Sequence, residues 1–338
     1  MTPIEFGCLP TAIGSLPHSS PEESRAFVLK YLPDIPAWPQ LPRRSPGEVM
    51  TLQFSSGFPG LVTTDDKPRV ERNGFDAEAE ALYRACEQQE AEKYAVAKES
   101  AAGLHAFLSL GRKFNLLKGQ MTGPVTWGLS VADERGVGVI YDETLAEAVV
   151  KFLSLKARWQ ERALQRIARN TIVFLDEPCL SSFGSPFLSL PAEKVTGCID
   201  GVLSALEGIK GVHCCGATDW SLLTSTRIDV LSFDAYNYAD SISAHPEVKG
   251  FVEKGGAIAW GIVPNVEADL ARETVSSIHD RLGEAIAPFT RSGVPFKTMV
   301  AQGLLTPSCG LAGLSLDAAA QALELLAGLS ARVRQRYA

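Results

Sequence analysis

The sequence contains no uninterrupted apolar run of the roughly 18 residues that a membrane-spanning helix needs. Its first twenty residues lack a basic segment followed by an apolar one, so we expect no secretory signal. The cysteines number seven, an odd count, and are scattered along the chain. Because this distribution does not resemble a disulfide framework, we expect a reduced, cytoplasmic protein.

Several motifs of nucleotide-binding proteins and hydrolases are also missing. The chain has no G-x-G-x-x-G, no Walker loop and no G-x-S-x-G elbow, so nucleotide binding and serine hydrolysis lack support. No basic patch with interleaved aromatic residues is present, and the net charge is −7. We therefore expect neither a nucleic-acid partner nor binding to a membrane surface.

Short apolar runs that end in polar or small residues alternate with stretches of helical periodicity. This alternation predicts parallel βαβ units, and 338 residues fit a single (β/α)8 TIM barrel spanning 1–338. The predicted strands cover 11–15, 116–122, 171–176, 211–215, 230–234, 257–262 and 299–305. The predicted helices cover 21–31, 144–170, 191–206, 265–288 and 316–336.

Residues 42–75 interrupt this rhythm because they are rich in proline, glycine, serine and charged residues. We interpret the segment as an extended excursion after the first βα unit, forming a hairpin over the barrel mouth.

Polar residues stand where the predicted strands end. The carboxyl ends of the strands form the catalytic face of a parallel barrel, so these side chains are expected to meet there. They are Ser15, Asp176, Cys215, Asp234 and Cys309.

The pattern His213-Cys214-Cys215 suggests a metal site together with Cys309. On a strand, residues i and i+2 point to the same side, so His213 and Cys215 converge while Cys214 faces away. One imidazole and two thiolates are soft donors that suit zinc. Asp234 is our candidate for the fourth ligand, with Asp219 and a water as competing occupants.

Two further segments carry candidate substrate contacts. Alternation sends Asp176 and Glu177 to opposite sides, so Asp176 could hold a substrate ammonium or act as a general acid or base; the alternative is a capping or ion-paired role. In the segment 11–18, Gly14 lets the backbone approach a ligand closely. His18 is either a catalytic proton relay or a structural residue.

The chain resembles the C-terminal catalytic barrel of cobalamin-independent methionine synthase in its single-barrel, core form, within the uroporphyrinogen decarboxylase-like superfamily. The resemblance rests on motifs spread nearly from end to end: Ile-Gly-Ser (13–15), Thr-Gly-Pro-Val-Thr (122–126), Asp-Glu-Pro (176–178), His-x-Cys (213–215) and Pro-Ser-Cys-Gly-Leu (307–311). His-Cys-Cys-Gly is also similar to the His-x-Cys-Gly of zinc methyltransferases that use corrinoid proteins.

The resemblance implies a zinc enzyme that moves a methyl group to homocysteine, giving methionine. Zinc would be bound by His213, Cys215, Asp234 and Cys309. Homocysteine would be held by Ile13, Gly14, Ser15 and Asp176, and Glu48 is a guess for a second acidic contact.

The chain departs from the family at the folate contacts. Residues 55–75 contain no Arg-Cys pair, and Ser130 and Ser182 stand where the family has Trp and Glu. The family's histidine after the Gly-Ile-x-Pro strand is also absent, since residues 265–270 contain none. The methyl donor therefore stays open between methyltetrahydrofolate and a methylated corrinoid, free or protein-bound.

Three alternatives remain. A corrinoid-dependent enzyme acting on coenzyme M or another thiol would need basic groups for a sulfonate. A decarboxylase of uroporphyrinogen type would need arginines near the first strand. A non-catalytic zinc protein would close the metal with four protein ligands.

Overall fold

A computed structural model describes residues 4–337. Its strands are β1 (Leu9–Pro10), β2 (Leu61–Thr64), β3 (Lys67–Val70), β4 (Phe114–Thr122), β5 (Ala132–Asp133), β6 (Ala168–Asp176), β7 (Ile209–Cys214), β8 (Val230–Phe233), β9 (Ala257–Val263) and β10 (Leu304–Pro307).

The α-helices are α1 (Pro21–Tyr31), α2 (Met50–Gln53), α3 (Phe75–Glu87), α4 (Ala102–Leu108), α5 (Pro124–Ser130), α6 (Glu143–Gln165), α7 (Ala192–Leu203), α8 (Trp220–Thr224), α9 (Ala235–Ser243), α10 (Pro246–Glu253), α11 (Glu267–Leu270), α12 (Val275–Arg291), α13 (Phe296–Gln302) and α14 (Leu316–Tyr337). No helix within residues 4–337 has the combined length and apolar character needed to cross a bilayer.

Seven strands form one curled parallel sheet in the order β1-β10-β9-β8-β7-β6-β4. The gap between its two edges is filled by residues 36–40. Lys118 N donates to Pro36 O (2.9 Å) on the β4 side, and Gln40 N donates to Gly14 O (3.0 Å) on the other side. The segment 36–40 thus completes a TIM-barrel-like fold, and it is a strand position that the sequence analysis missed.

The predicted barrel is confirmed, with local corrections. Residues 299–302 belong to helix α13 rather than to a strand, so the last strand starts only at Leu304. Predicted helix 265–288 is divided into α11 and α12, and 168–170 belong to β6 rather than to α6.

The excursion 42–75 follows the first βα unit, with 36–40 between them. It contains the short helix α2 and a hairpin made by β2 and β3. The hairpin pairs with β5, beyond helix α5. Residues ahead of the hairpin reach the end of β4, where Thr122 Oγ1 donates to Met50 O (2.6 Å).

The barrel interior changes character along its axis. Near the amino ends of the strands an apolar cluster fills it, including Ile172, Phe174, Val230 and Ala257. Polar inward positions adjoin this cluster, lying in register with it on β4 and beyond it on β6, β7 and β8. Strand register aligns Lys118 with Ile172, Gln120 with Phe174, Thr122 with Asp176, Asp176 with His213, and His213 with Ser232. This polar layer forms the floor of the candidate site at the carboxyl ends of the strands.

Candidate metal centre and substrate pocket

One imidazole and two thiols converge at the carboxyl ends of the barrel strands. His213 lies in β7, Cys215 follows its last residue, and Cys309 lies two residues beyond β10. The nearest ligand atoms of the three side chains all lie within 4.8 Å of one another. Cys214 faces the other way into the core outside the barrel, with its Sγ donating to Gly216 O (3.5 Å), as the alternation predicts.

The hydrogen bonding and the protonation state of the His213 imidazole suit a metal ligand. Its Nδ1 lies 3.0 Å from the Oγ of Ser232, whereas its Nε2 is buried without a hydrogen-bond partner among the described residues. Burial, aided by the nearby Lys118 cation, lowers the pKa of His213 to about 3, so the ring is neutral. A neutral imidazole with a free nitrogen is the form that binds a metal.

The two thiols interact directly. A hydrogen bond from Cys309 lowers the pKa of the Cys215 thiol to about 7, despite the opposing effect of burial. Donation of this bond raises the pKa of Cys309. Because thiolate is the metal-binding form of cysteine, Cys215 is prepared for that role near neutral pH. The donor set therefore fits zinc, with His213, Cys215 and Cys309 as the residues that would hold it.

Asp234 lies at the end of the next strand, but its carboxylate is engaged elsewhere. Its Oδ1 accepts from Asn237 N (2.9 Å) and its Oδ2 from Asn237 Nδ2 (2.7 Å), so it caps helix α9. It does not belong to the convergent group of three. Asp219 likewise caps a helix, α8, through Ser221 N. A fourth ligand from Asp234 stays a prediction that this orientation does not favour.

A cavity of about 190 Å³ opens beside the three donors. Asp176 is in register with His213 on the neighbouring strand and contributes a carboxylate whose Oδ1 is buried without a partner among the described residues. Burial raises the pKa of Asp176 to about 7, against the opposing effect of Lys118. The cavity is lined by Ile13, Ser15, Gln40, Met50, Asp176, Pro178, His213, Cys215, Cys309, Gly310, Ala312 and Gly313.

Glu177 serves a different purpose from its neighbour. It is fully buried and accepts hydrogen bonds from Val125 N (2.9 Å) and Thr126 N (2.7 Å) at the start of helix α5. A Cβ at Gly123 would lie 2.2 Å from Glu177 Oε1, so only glycine fits there. The Asp-Glu-Pro motif thus combines a cavity carboxylate with a helix-capping one.

Lys118 is a functional neighbour that the sequence analysis missed. Its side chain is fully buried inside the barrel, where Nζ donates to Ile13 O (2.8 Å) and lies 4.4 Å from the centre of the Phe174 ring. Burial lowers its pKa to about 8, opposed by the attraction of Asp176. Lys118 therefore ties the Ile13–Ser15 segment to β4.

The segment 13–15 lies against the cavity as expected. Ile13 and Ser15 line it, whereas Gly14 turns toward Gln40 and Gln120. A Cβ at Gly14 would lie 2.6 Å from Gln40 Oε1, so the close approach requires glycine. The roles of these residues in binding substrate stay predictions.

His18 and Glu48 lie outside the cavity lining. His18 is buried and packs against Phe27 with 4.7 Å between ring centres. Glu48 is buried, accepts from Leu41 N (3.2 Å) and pairs with Arg44 at 2.8 Å. These contacts of Glu48 stabilise the excursion 42–75. The guess that Glu48 contacts the substrate finds no support. The proton-relay role of His18 stays a prediction.

Gln40 occupies a cavity position that the sequence analysis did not identify. Its Nε2 donates to Gln53 Oε1 (2.7 Å), and Gln53 Nε2 donates in turn to Ser100 O (2.7 Å). This chain fixes the orientation of the Gln40 amide, so that its oxygen is left to accept a hydrogen bond. No local signal marked Gln40, because its strand was missed.

No protein-family model matches the chain. No curated protein matches it either. Solved structures do match. A B12-independent methionine synthase from Shewanella sp. W3-18-1, in complex with selenomethionine, aligns over 97% of this chain and 98% of its own, with a TM-score of 0.59 and 14% identity. A methyltransferase from Methanosarcina mazei aligns over 100% and 94%, also with a TM-score of 0.59 and 14% identity.

The chain shares the fold of both proteins. This is the barrel that the sequence resemblance implied, and the alignments cover nearly the whole of each chain. At 14% identity the likeness shows the fold alone, so function has to be argued from the site.

Proposed function

We propose that this protein transfers a methyl group to a small thiol and that the thiol is homocysteine. The observation that carries the proposal is the convergence of His213, Cys215 and Cys309 on a cavity that also contains the carboxylate of Asp176. Soft donors suit a metal that can activate a thiol, and a carboxylate nearby suits the ammonium group of an amino acid. The fold shared with a methionine synthase and a methyltransferase supports the same conclusion.

The first group of side chains would bind the metal. His213, Cys215 and Cys309 would hold zinc, which supplies a Lewis acid that favours the thiolate form of a bound thiol. Three protein ligands would leave room at the metal for the substrate sulfur. Asp234 stays a proposed fourth ligand only if its contacts with Asn237 are released.

Asp176 and Gln40 would bind the substrate ammonium. The free Oδ1 of Asp176 and the oriented Oε1 of Gln40 are both acceptors beside the cavity. Ile13, Gly14 and Ser15 would position the carboxylate end through the backbone. Placing the thiol in line with the incoming methyl group is the chief contribution of such contacts.

The cavity lining favours an amino acid over a sulfonate. No lysine or arginine belongs to the lining among the described residues, and Lys118 is buried behind it with its Nζ donating to Ile13 O. A coenzyme M-type thiol, or a porphyrin with several carboxylates, would meet the carboxylate of Asp176 without a basic partner. Both alternatives are therefore less supported than homocysteine.

The donor would approach from the open mouth, and a methylfolate and a methylated corrinoid are both retained.

The seven cysteines are all free thiols, which supports our proposal that the protein works in the reducing cytoplasm.

The test is to incubate the purified, reduced, zinc-loaded protein with homocysteine and either methylcobalamin, a methylated corrinoid protein or methyltetrahydrofolate. Methionine is measured by mass spectrometry. Formation of methionine with one donor would support the proposal and identify that donor. Methylation of coenzyme M but not homocysteine, or no product with any donor, would overturn it.

A further inference from the structure

We infer that Asn265 is a positioning residue that clamps the loop carrying Cys309 into the geometry needed for metal binding. The inference rests on the proposed metal site and goes beyond it, because Asn265 touches neither metal nor substrate. Its effect would be exerted through the two residues on either side of Cys309.

Cys309 needs such support more than the other two donors do. His213 lies within β7 and Cys215 directly follows it, so the sheet fixes both. Cys309 instead lies in a loop beyond the end of β10, after a register shift between Thr306 and Pro307. A bulge of this kind redirects the chain that follows it, so local contacts have to set where Cys309 points.

Asn265 brackets Cys309 through a single amide. Ser308 Oγ donates to Asn265 Oδ1 (3.0 Å), and Asn265 Nδ2 donates to Gly310 O (3.4 Å). The flanking residues are thus held by the acceptor and the donor of one side chain. Aspartate would keep only the acceptor, and alanine would keep neither.

The bracketed loop also joins the metal donors to the substrate segment. Ser308 is buried and its backbone N donates to Val263 O (2.8 Å), while Leu311 N donates to Ser15 O (2.9 Å). A Cβ at Gly310 would lie 2.1 Å from Ser15 Oγ, so the two segments are in close contact. Displacement of the loop would therefore move Cys309 relative to Ser15.

The experiment measures zinc affinity by chelator competition in the full-length protein and in Asn265→Ala, Asn265→Asp and Ser308→Ala variants. We expect Asn265→Ala to weaken zinc binding by about 10- to 100-fold, the range found for residues that orient metal ligands. The zinc affinity of Asn265→Asp should fall between those of the wild type and Asn265→Ala. Adding Ser308→Ala to Asn265→Ala should cost little more, because both remove the same contact. Val266→Ala, at an exposed neighbouring position, is the matched control and should bind like the wild type.

Cobalt substitution gives a readout that a general loss of stability would not move. The thiolate-to-cobalt absorption should decrease in Asn265→Ala, since Cys309 is the ligand that loses its support. Wild-type zinc affinity and cobalt absorption in Asn265→Ala would overturn the clamp and leave the proposed function intact. Absence of stoichiometric zinc in the wild type would instead overturn the proposed function, and the clamp with it.

Discussion

The Nδ1 of His213 lies 3.0 Å from the Oγ of Ser232, across two adjacent barrel strands. This contact leaves Nε2 as the nitrogen that is free to bind a metal. With a metal on Nε2, Nδ1 carries the proton and donates to the serine.

Ser232→Ala should weaken zinc binding by about 10- to 100-fold, because the ring loses the partner that orients it. Chelator competition measures the change. Ser232→Thr keeps a hydroxyl and is the rescue variant, which should restore most of the affinity. Equal affinities in the wild type and Ser232→Ala would show that the contact does not orient the ligand.

Cys309→Ser and Cys214→Ser form a matched pair, because both cysteines lie at or just beyond the carboxyl end of a strand and only Cys309 faces the metal group. Zinc binding by the four ligands of a zinc-finger peptide is worth about 10–16 kcal/mol, so by that average the loss of one thiolate costs roughly 3 kcal/mol, or about 100-fold in affinity. We expect this loss, and loss of turnover, in Cys309→Ser alone. Equal zinc loss in both variants would mean that the wrong sulfur has been assigned.

Asp176→Asn should raise the KM for homocysteine by about 10- to 100-fold, because a hydrogen bond to a charged group contributes roughly 1.5–3 kcal/mol. Zinc content should stay unchanged. The control substrate is 4-mercaptobutanoate, which has the thiol and carboxylate but no ammonium. The variant and the wild type should use it equally poorly. A matching loss with both thiols would contradict ammonium binding by Asp176.

Lys156 gives a prediction for stability that is independent of the site. It is buried in α6, and burial lowers its pKa from 10.5 to about 8. Between these values the unfolded chain binds more protons than the folded chain, so the contribution of Lys156 to stability rises with pH. Relative to Lys156→Met, the wild type should gain up to about 3 kcal/mol between pH 8 and 10.5. Urea unfolding across this range measures the gain, and a constant difference would refute the shifted pKa.

The strands that the sequence predicted correctly are mostly apolar runs that end in a polar or small residue and alternate with helical stretches. It missed 36–40 because two prolines and a tryptophan in five residues do not resemble a strand, although this segment completes the barrel. Residues 299–302 are apolar enough for a strand but form α13. A short apolar run does not distinguish a buried strand from a buried helix.

At the site, strand alternation correctly separated Asp176 from Glu177 and Cys215 from Cys214. The placement of Asp234 differs because its capping contact with Asn237 is formed locally and cannot be read from strand position. Lys118 carried a usable signal, since a lysine in phase with Gln120 and Thr122 within a buried strand has to point into the barrel. Gln40 carried none.

The central claim is that His213, Cys215 and Cys309 hold one zinc ion with a position open to a thiol. Zinc X-ray absorption spectroscopy of the reduced protein, with and without homocysteine, tests it most directly. We predict stoichiometric zinc with two sulfur ligands, rising to three when homocysteine is added. Protein without stoichiometric zinc, or a ligand shell that homocysteine leaves unchanged, would contradict the account.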